Sequence, residues 1–147
     1  MTKEFIELTG IFIHHCGALE FLINNSIKKF AKDQLLASDA ISSTLHKRIN
    51  LLRKLLKQRS EIENDLIDSL CNDIDEIRMK RNIVAHNPIV STKPDKTGEE
   101  EILVIRHKPS EVTVPDKLTK KDISKLVNKT KNLIQNFTKM IPDSTQT

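Results

Sequence analysis

Arg81 and His86 stand with four residues between them in Arg81-Asn82-Ile83-Val84-Ala85-His86, at the end of a strongly helical stretch. An arginine with a histidine supplies what metal-free cleavage of RNA requires. The guanidinium holds phosphate oxygens in a bidentate fork, and the imidazole moves a proton near neutral pH. Asn82 adds an amide beside them. Arg81 also occupies a core position in the helical repeat: at ~100° per residue it shares a narrow arc with Leu70, Ile74, Ile77 and Ala85. Unpaired burial of a guanidinium is costly, so this side chain must reach something polar. The structural alternative is a snorkelling arginine at a basic helix end, shared with Arg78 and Lys80, which the helix dipole favours.

On an ideal helix, five residues turn His86 about 140° away from Arg81, so the two do not share a face. They converge if the last turn unwinds ahead of Pro88, or if a second subunit completes the site at a symmetry axis. Glu20 flanks the main stripe of the first helix and is expected to orient Arg81 or His86; its alternative is a structural ion pair at the bundle edge. His14 and His15 are adjacent and face different ways, and His46 and His107 have no local ligand set. No metal and no cofactor is expected.

The elements that must position these groups are mostly helical. The three glycines are few and all five prolines follow residue 87, leaving the first half almost free of breakers. Phe5 to about Leu36 reads as a first helix, with a stripe from Phe5 through Phe12, Cys16, Leu19, Ile23 and Ile27 to Phe30. Ile13, Ala18 and Phe21 make it apolar on a second side, where Gly10 and Gly17 would allow a close crossing. A small bundle rarely encloses one of its members, so a homodimer is expected. A second helix runs from Ser38 or Asp39 to about Gln58. A third follows Ser60, with Glu63 placed for a capping box and a stripe of Ile62, Leu66, Leu70, Ile74 and Ile77, and ends at Asn87-Pro88.

Residues 89–118 read as a loop or β-hairpin insertion, with Glu101–Arg106 as a strand and Val112–Val114 as its candidate partner. Thr119 caps the last helix with Asp122 three residues on, and Ile123, Leu126, Thr130, Leu133, Phe137 and Ile141 form its apolar face. The fold expectation is all-α: a bundle of four to five helices in one domain over residues 1–142, with a flexible tail at 143–147.

At 147 residues and a formal charge of +4, the chain fits one domain. Its charge is blocked: six bases and no acids from Leu45 to Arg59, seven acids and no bases from Glu61 to Glu76, then seven lysines against Asp122 from Lys117 to Lys139. Such blocks suit either an anionic partner or pairing across a bundle. Phe is the sole aromatic type, so no Trp or Tyr is available for base stacking. Cys16 and Cys71 lie inside apolar patterns and read as buried thiols of a reducing compartment. No signal peptide and no stretch of membrane-spanning length is expected, which makes the expected location cytoplasmic without a membrane.

On these residues the chain resembles the HEPN superfamily, the small helical domains of prokaryotic toxins, abortive-infection proteins and RNA-targeting defence nucleases. The hallmark is an Arg, usually followed by a polar residue, then His after a gap of four to six. Arg81, Asn82 and His86 match it, and the lead-in Ile74–Lys80 and the following Asn87-Pro88 look like the same passage. The resemblance covers roughly residues 5–88 and 117–141. It implies an HEPN-like bundle, a homodimer with a shared site, and metal-independent endoribonuclease activity on single-stranded RNA. His86 would be the acid–base residue, Arg81 the phosphate clamp and Asn82 a positioner, with 2′,3′-cyclic phosphate and 5′-hydroxyl products. An antitoxin or a nucleotidyltransferase is the implied partner. Silent members of the superfamily, which serve as nucleotide-binding or interaction modules, supply the alternative.

Overall fold

The computed structural model describes residues 3–86, 89–91, 101–105 and 115–145, with side chains over 3–85, 118–142 and 144–145. Among them are five α-helices: α1 (Lys3–Phe30), α2 (Gln34–Ile41), α3 (Leu45–Arg59), α4 (Asn64–His86) and α5 (Lys120–Met140). A small antiparallel sheet, β1 (Ile89–Ser91), β2 (Glu101–Ile105) and β3 (Pro115–Thr119), lies between α4 and α5 in the chain. The all-α bundle anticipated from the pattern is the fold.

α1 is the hub. It packs against α5, α3, α4 and α2, and buries Phe5, Phe12, Cys16, Leu19, Ile23 and Ile27. Leu52 and Leu56 from α3, Ile67, Ile74 and Ile77 from α4, and Ile123 and Phe137 from α5 complete the core, each at most 2% exposed. α1 is long and apolar enough to cross a membrane by length and composition alone, a test that the core helix of a bundle also passes. Its buried stripe is packed here as the central helix of a bundle.

Helix boundaries differ from the pattern reading in three places, each for a local reason. α1 stops at Phe30 rather than near Leu36, because Lys32 adopts φ 58° and Asp33 caps a new helix through Leu35 and Leu36 N–H groups. Side-chain capping by Asp overrides the continuing apolar run. α3 begins after Thr44, whose hydroxyl accepts from the Lys47 N–H. Ser60 closes α3 and does not open α4: its hydroxyl donates to the Leu56 carbonyl, and α4 starts at Asn64. The α4 stripe is consequently Ile67, Leu70, Cys71, Ile74 and Ile77, while Leu66 is exposed.

In the sheet, β2 pairs with β1 and with β3, placing Ile102 opposite Leu118 and Ile89 opposite Val104. The partner of β2 is thus Pro115–Thr119; the expected partner Val112–Val114 lies outside the described residues. Pro115 opens an edge strand, where its missing N–H breaks no ladder. Thr119 ends β3 and caps α5 in a reciprocal box with Asp122, at 3.1 and 2.9 Å. The chain after α5 forms a 3₁₀ turn, Pro142–Thr145, with Ser144 fully buried and its carbonyl accepting from Asn25 Nδ2 at 3.0 Å. Up to Thr145, the expected flexible tail is packed on α1; residues 146–147 lie outside the described residues.

Candidate functional site

The N-terminal end of α3 and the C-terminal half of α4 diverge beside α1, opening a polar cleft of about 540 Å³. Glu20 of α1, His46 and Arg48 of α3, and Arg78, Arg81 and Asn82 of α4 line it. Next to it, Cys16, Leu19, Ile23, Ile74 and Ile77 line a smaller, mainly apolar pocket that shares Glu20, Arg78 and Arg81 with the cleft. Arg81 therefore continues the buried stripe of α4, as its position in the repeat requires, and is half-buried at the stripe's wet end.

The cations of this cleft are not equivalent. Arg48, 8% exposed, is tied by Nη2 to Glu20 Oε1 at 2.7 Å and by Nη1 to Asn24 Oδ1 at 2.8 Å. Its Nε is buried without an acceptor. Arg78 donates Nε–H to Asp75 Oδ1 at 2.7 Å, one turn back on α4. Among the described residues, no carboxylate or hydrogen-bond acceptor engages the guanidinium of Arg81. Glu20, expected to orient Arg81 or His86, instead neutralises Arg48. It shares the cleft with Arg81, and the two act in opposite directions on Cys16.

His46 is the residue that pattern reading passed over. Its Nδ1 lies 3.2 Å from Asp75 Oδ1, and Asn50 Nδ2 approaches Nε2 at 3.3 Å. Asp75 thus serves both Arg78 and His46. Hydrogen bonding from Arg78 holds its carboxyl below the usual carboxylate range; burial opposes the shift, and His46 reinforces it. The local pairs were visible as spacings, His46 with Asn50 at four residues and Asp75 with Arg78 at three. What linear pattern omits is the contact between α3 and α4 that joins the pairs.

Cys16 lies beneath the cleft. Burial pushes its thiol up to about 11, with the Arg81 guanidinium opposing and Glu20 adding to the rise. Burial likewise raises Cys71 to about 11. Thiols so poised stay protonated near pH 7 and are poor nucleophiles. Among the described residues, no three His, Cys, Asp or Glu groups converge as a metal site.

α4 remains α-helical through His86, so of the two routes to convergence the unwinding of its last turn does not occur within it. The Cα of His86 sits about 140° around the axis from that of Arg81; the His86 side chain lies outside the described residues. On α1, Ile6 is 55% and Phe21 49% exposed, and a Cβ at Gly10 or Gly17 would meet nothing within 4 Å. Among the described residues, no helix packs closely on Gly10 or Gly17, and Ile13 leans back on the core.

No protein-family model matches the chain, and no curated protein or solved structure does either.

Proposed function

We propose that this chain is a metal-independent endoribonuclease of the HEPN kind, acting on single-stranded RNA as a homodimer. The observation that carries the reading is the charge allocation in the cleft. Arg48 and Arg78 are neutralised by Glu20 and Asp75, while Arg81, the arginine of the Arg-x4-His pattern, has no anionic partner among the described residues. A half-buried arginine that lines both an apolar pocket and a polar cleft is suited to the non-bridging oxygens of a phosphodiester.

In this reading Arg81 holds the phosphate and stabilises charge as it develops, and Asn82 positions the group. His86 transfers a proton. The 2′-hydroxyl attacks the adjacent phosphorus and the 5′-oxygen leaves, giving a 2′,3′-cyclic phosphate. The helical span between Arg81 and His86 supports pairing them across two subunits, and the exposed Ile6, Gly10, Gly17 and Phe21 side of α1 supports a second copy. A cytoplasmic toxin or phage-defence effector, restrained by an antitoxin or a nucleotidyltransferase, accords with this chemistry. The 140° separation also favours a second reading, a catalytically silent HEPN-like dimerisation or nucleotide-binding module.

Incubation with single-stranded RNA in EDTA decides between them. The ribonuclease reading expects fragments with 5′-hydroxyl and cyclic phosphate ends, abolished by His86→Ala with the oligomer intact. Arg81→Ala should inactivate too, with little recovery in Arg81→Lys, because a point charge does not reproduce a bidentate fork. RNA that is bound and left intact supports the silent module, and 5′-phosphate ends refute 2′-hydroxyl attack.

A further inference from the structure

His46 combines three properties that no other described histidine shares. It lines the same cleft as Arg81 and Asn82. A carboxylate on the neighbouring helix holds one ring nitrogen, Nδ1, at 3.2 Å. Its side chain remains 55% exposed, so solvent and a bound anion both reach it.

The contacts define a tautomer. Asp75 is an acceptor, so Nδ1 carries the proton that it receives. Nε2 then presents its lone pair, and the Asn50 amide, 3.3 Å away, is correctly disposed to donate to it. An imidazole fixed by a carboxylate at Nδ1 with a basic Nε2 is arranged to accept a proton. Among the described residues, the charged groups around it are Asp75 and Arg78 from α4, Arg48 from its own helix, and Glu20 and Arg81 of the same cleft. Glu20 and Asp75 are engaged by Arg48 and Arg78, leaving Arg81 as the cation open to a phosphate beside the imidazole.

We infer that His46 is the general base of the cleft, with Asp75 as its positioning residue, acting in the same chain as Arg81 on the 2′-hydroxyl of an RNA phosphodiester. This rests on the ribonuclease reading and extends it: two proton transfers are required, and two histidines divide them. Nε2 of His46 takes the 2′-hydroxyl proton as the O2′ lone pair forms the new bond to phosphorus. The P–O5′ bond breaks with its electron pair on O5′, which takes a proton from His86. No oxidant, reductant or metal enters the balance. The substrate hydroxyl replaces the Asn50 amide at Nε2, an exchange between exposed groups.

The test is the pH profile of kcat/KM for cleavage of a labelled single-stranded RNA in EDTA, from about pH 5 to 9, compared among wild type, His46→Gln, His46→Gly and Asp75→Asn. For wild type, a general base gives the profile an acidic limb. His46→Gln should lower kcat by about 100-fold, the low end of the general-base range, with KM little changed and that limb gone. Added imidazole should restore His46→Gly in part. Asp75→Asn should lower kcat with KM little changed, because the group that holds Nδ1 and orients the ring is weakened. His46→Gln within twofold of wild type, or a loss with an unchanged limb and no imidazole rescue, overturns the base assignment and leaves the ribonuclease reading standing. A wild-type protein that does not cleave overturns both.

Discussion

Replacing Glu20 by glutamine separates charge from shape at the one cleft arginine that is nearly buried. The Arg48 side chain is 10% exposed, and its salt bridge to Glu20 is 2.7 Å long. In Glu20→Gln the amide oxygen retains an acceptor for Nη2 and Asn24 still serves Nη1, so the hydrogen bonds survive while the guanidinium loses its counter-charge. Breaking a fully buried pair by removing one partner costs about 3–5 kcal/mol. Here the Glu20 side chain is 32% exposed and faces an open cleft, which reduces the cost to roughly 2 kcal/mol by the same reasoning. For a chain of this size that is a fall in Tm of about 4–8 °C. Thermal and urea denaturation at fixed protein concentration measure it, and a double-mutant cycle with Arg48→Met isolates the pair. The same substitution removes a carboxylate that lines the cleft, so affinity for single-stranded RNA at low salt should rise. A stability change below ~0.5 kcal/mol would place the pair among exposed ion pairs and refute the burial argument. Weaker RNA binding in Glu20→Gln would make Glu20 a substrate contact and refute its assignment as counter-ion to Arg48.

Lys32 holds φ 58°, a conformation that L side chains adopt at a cost, so Lys32→Gly should stabilise by up to ~1 kcal/mol in equilibrium unfolding, and a loss would refute the strain. Gly17→Glu should leave the isolated subunit as stable as before, or more so by up to ~1 kcal/mol through helix propensity, because its Cβ meets nothing. If that face joins two copies, sedimentation equilibrium should show twice the chain mass for wild type and a single mass for Gly17→Glu. The depressed folded pKa of Asp75 contributes stability that is present above the unfolded value of ~3.9 and is lost as pH falls through the folded value. Asp75→Asn should therefore flatten the acid side of the stability profile, costing about 1 kcal/mol at neutral pH, and an unaltered acid slope would refute the linkage.

Periodicity revealed the helical framework because burial and spacing agree over most of it. The α1 stripe from Phe5 to Ile27 and the α5 stripe from Ile123 to Phe137 are both buried as spaced. The Thr119–Asp122 box was equally legible, since both of its bonds are local. Failures fall where a short-range polar contact outcompetes an apolar run. Asp33 and Lys32 end α1 beneath Leu35 and Leu36, which are 80% and 63% exposed. Ser60 satisfies the end of α3, which moves the start of α4 and turns Leu66 outward in favour of Ile67. Ser144 is buried by a long-range contact to Asn25, 119 residues away, which composition does not reveal.

The cleft itself was half legible, and the division follows from what sequence spacing encodes. Arg81 announced itself by occupying a core position that an arginine can fill only by reaching a polar space, and such a space is present. Which carboxylate serves which arginine depends on how α1, α3 and α4 meet, and no spacing within one helix contains that information. Among the described residues, four bases and two acids surround the cleft if His46 is charged, and three and two if it is neutral. Two of the arginines are spent on Glu20 and Asp75 in either case. The unmatched positive charge thus falls on Arg81, together with His46 when that ring is protonated. A phosphodiester carries one negative charge, so neutral His46 with Arg81 balances it and leaves Nε2 free to take a proton. In that neutral ring the Nδ1 proton is held by Asp75, which keeps the lone pair on Nε2.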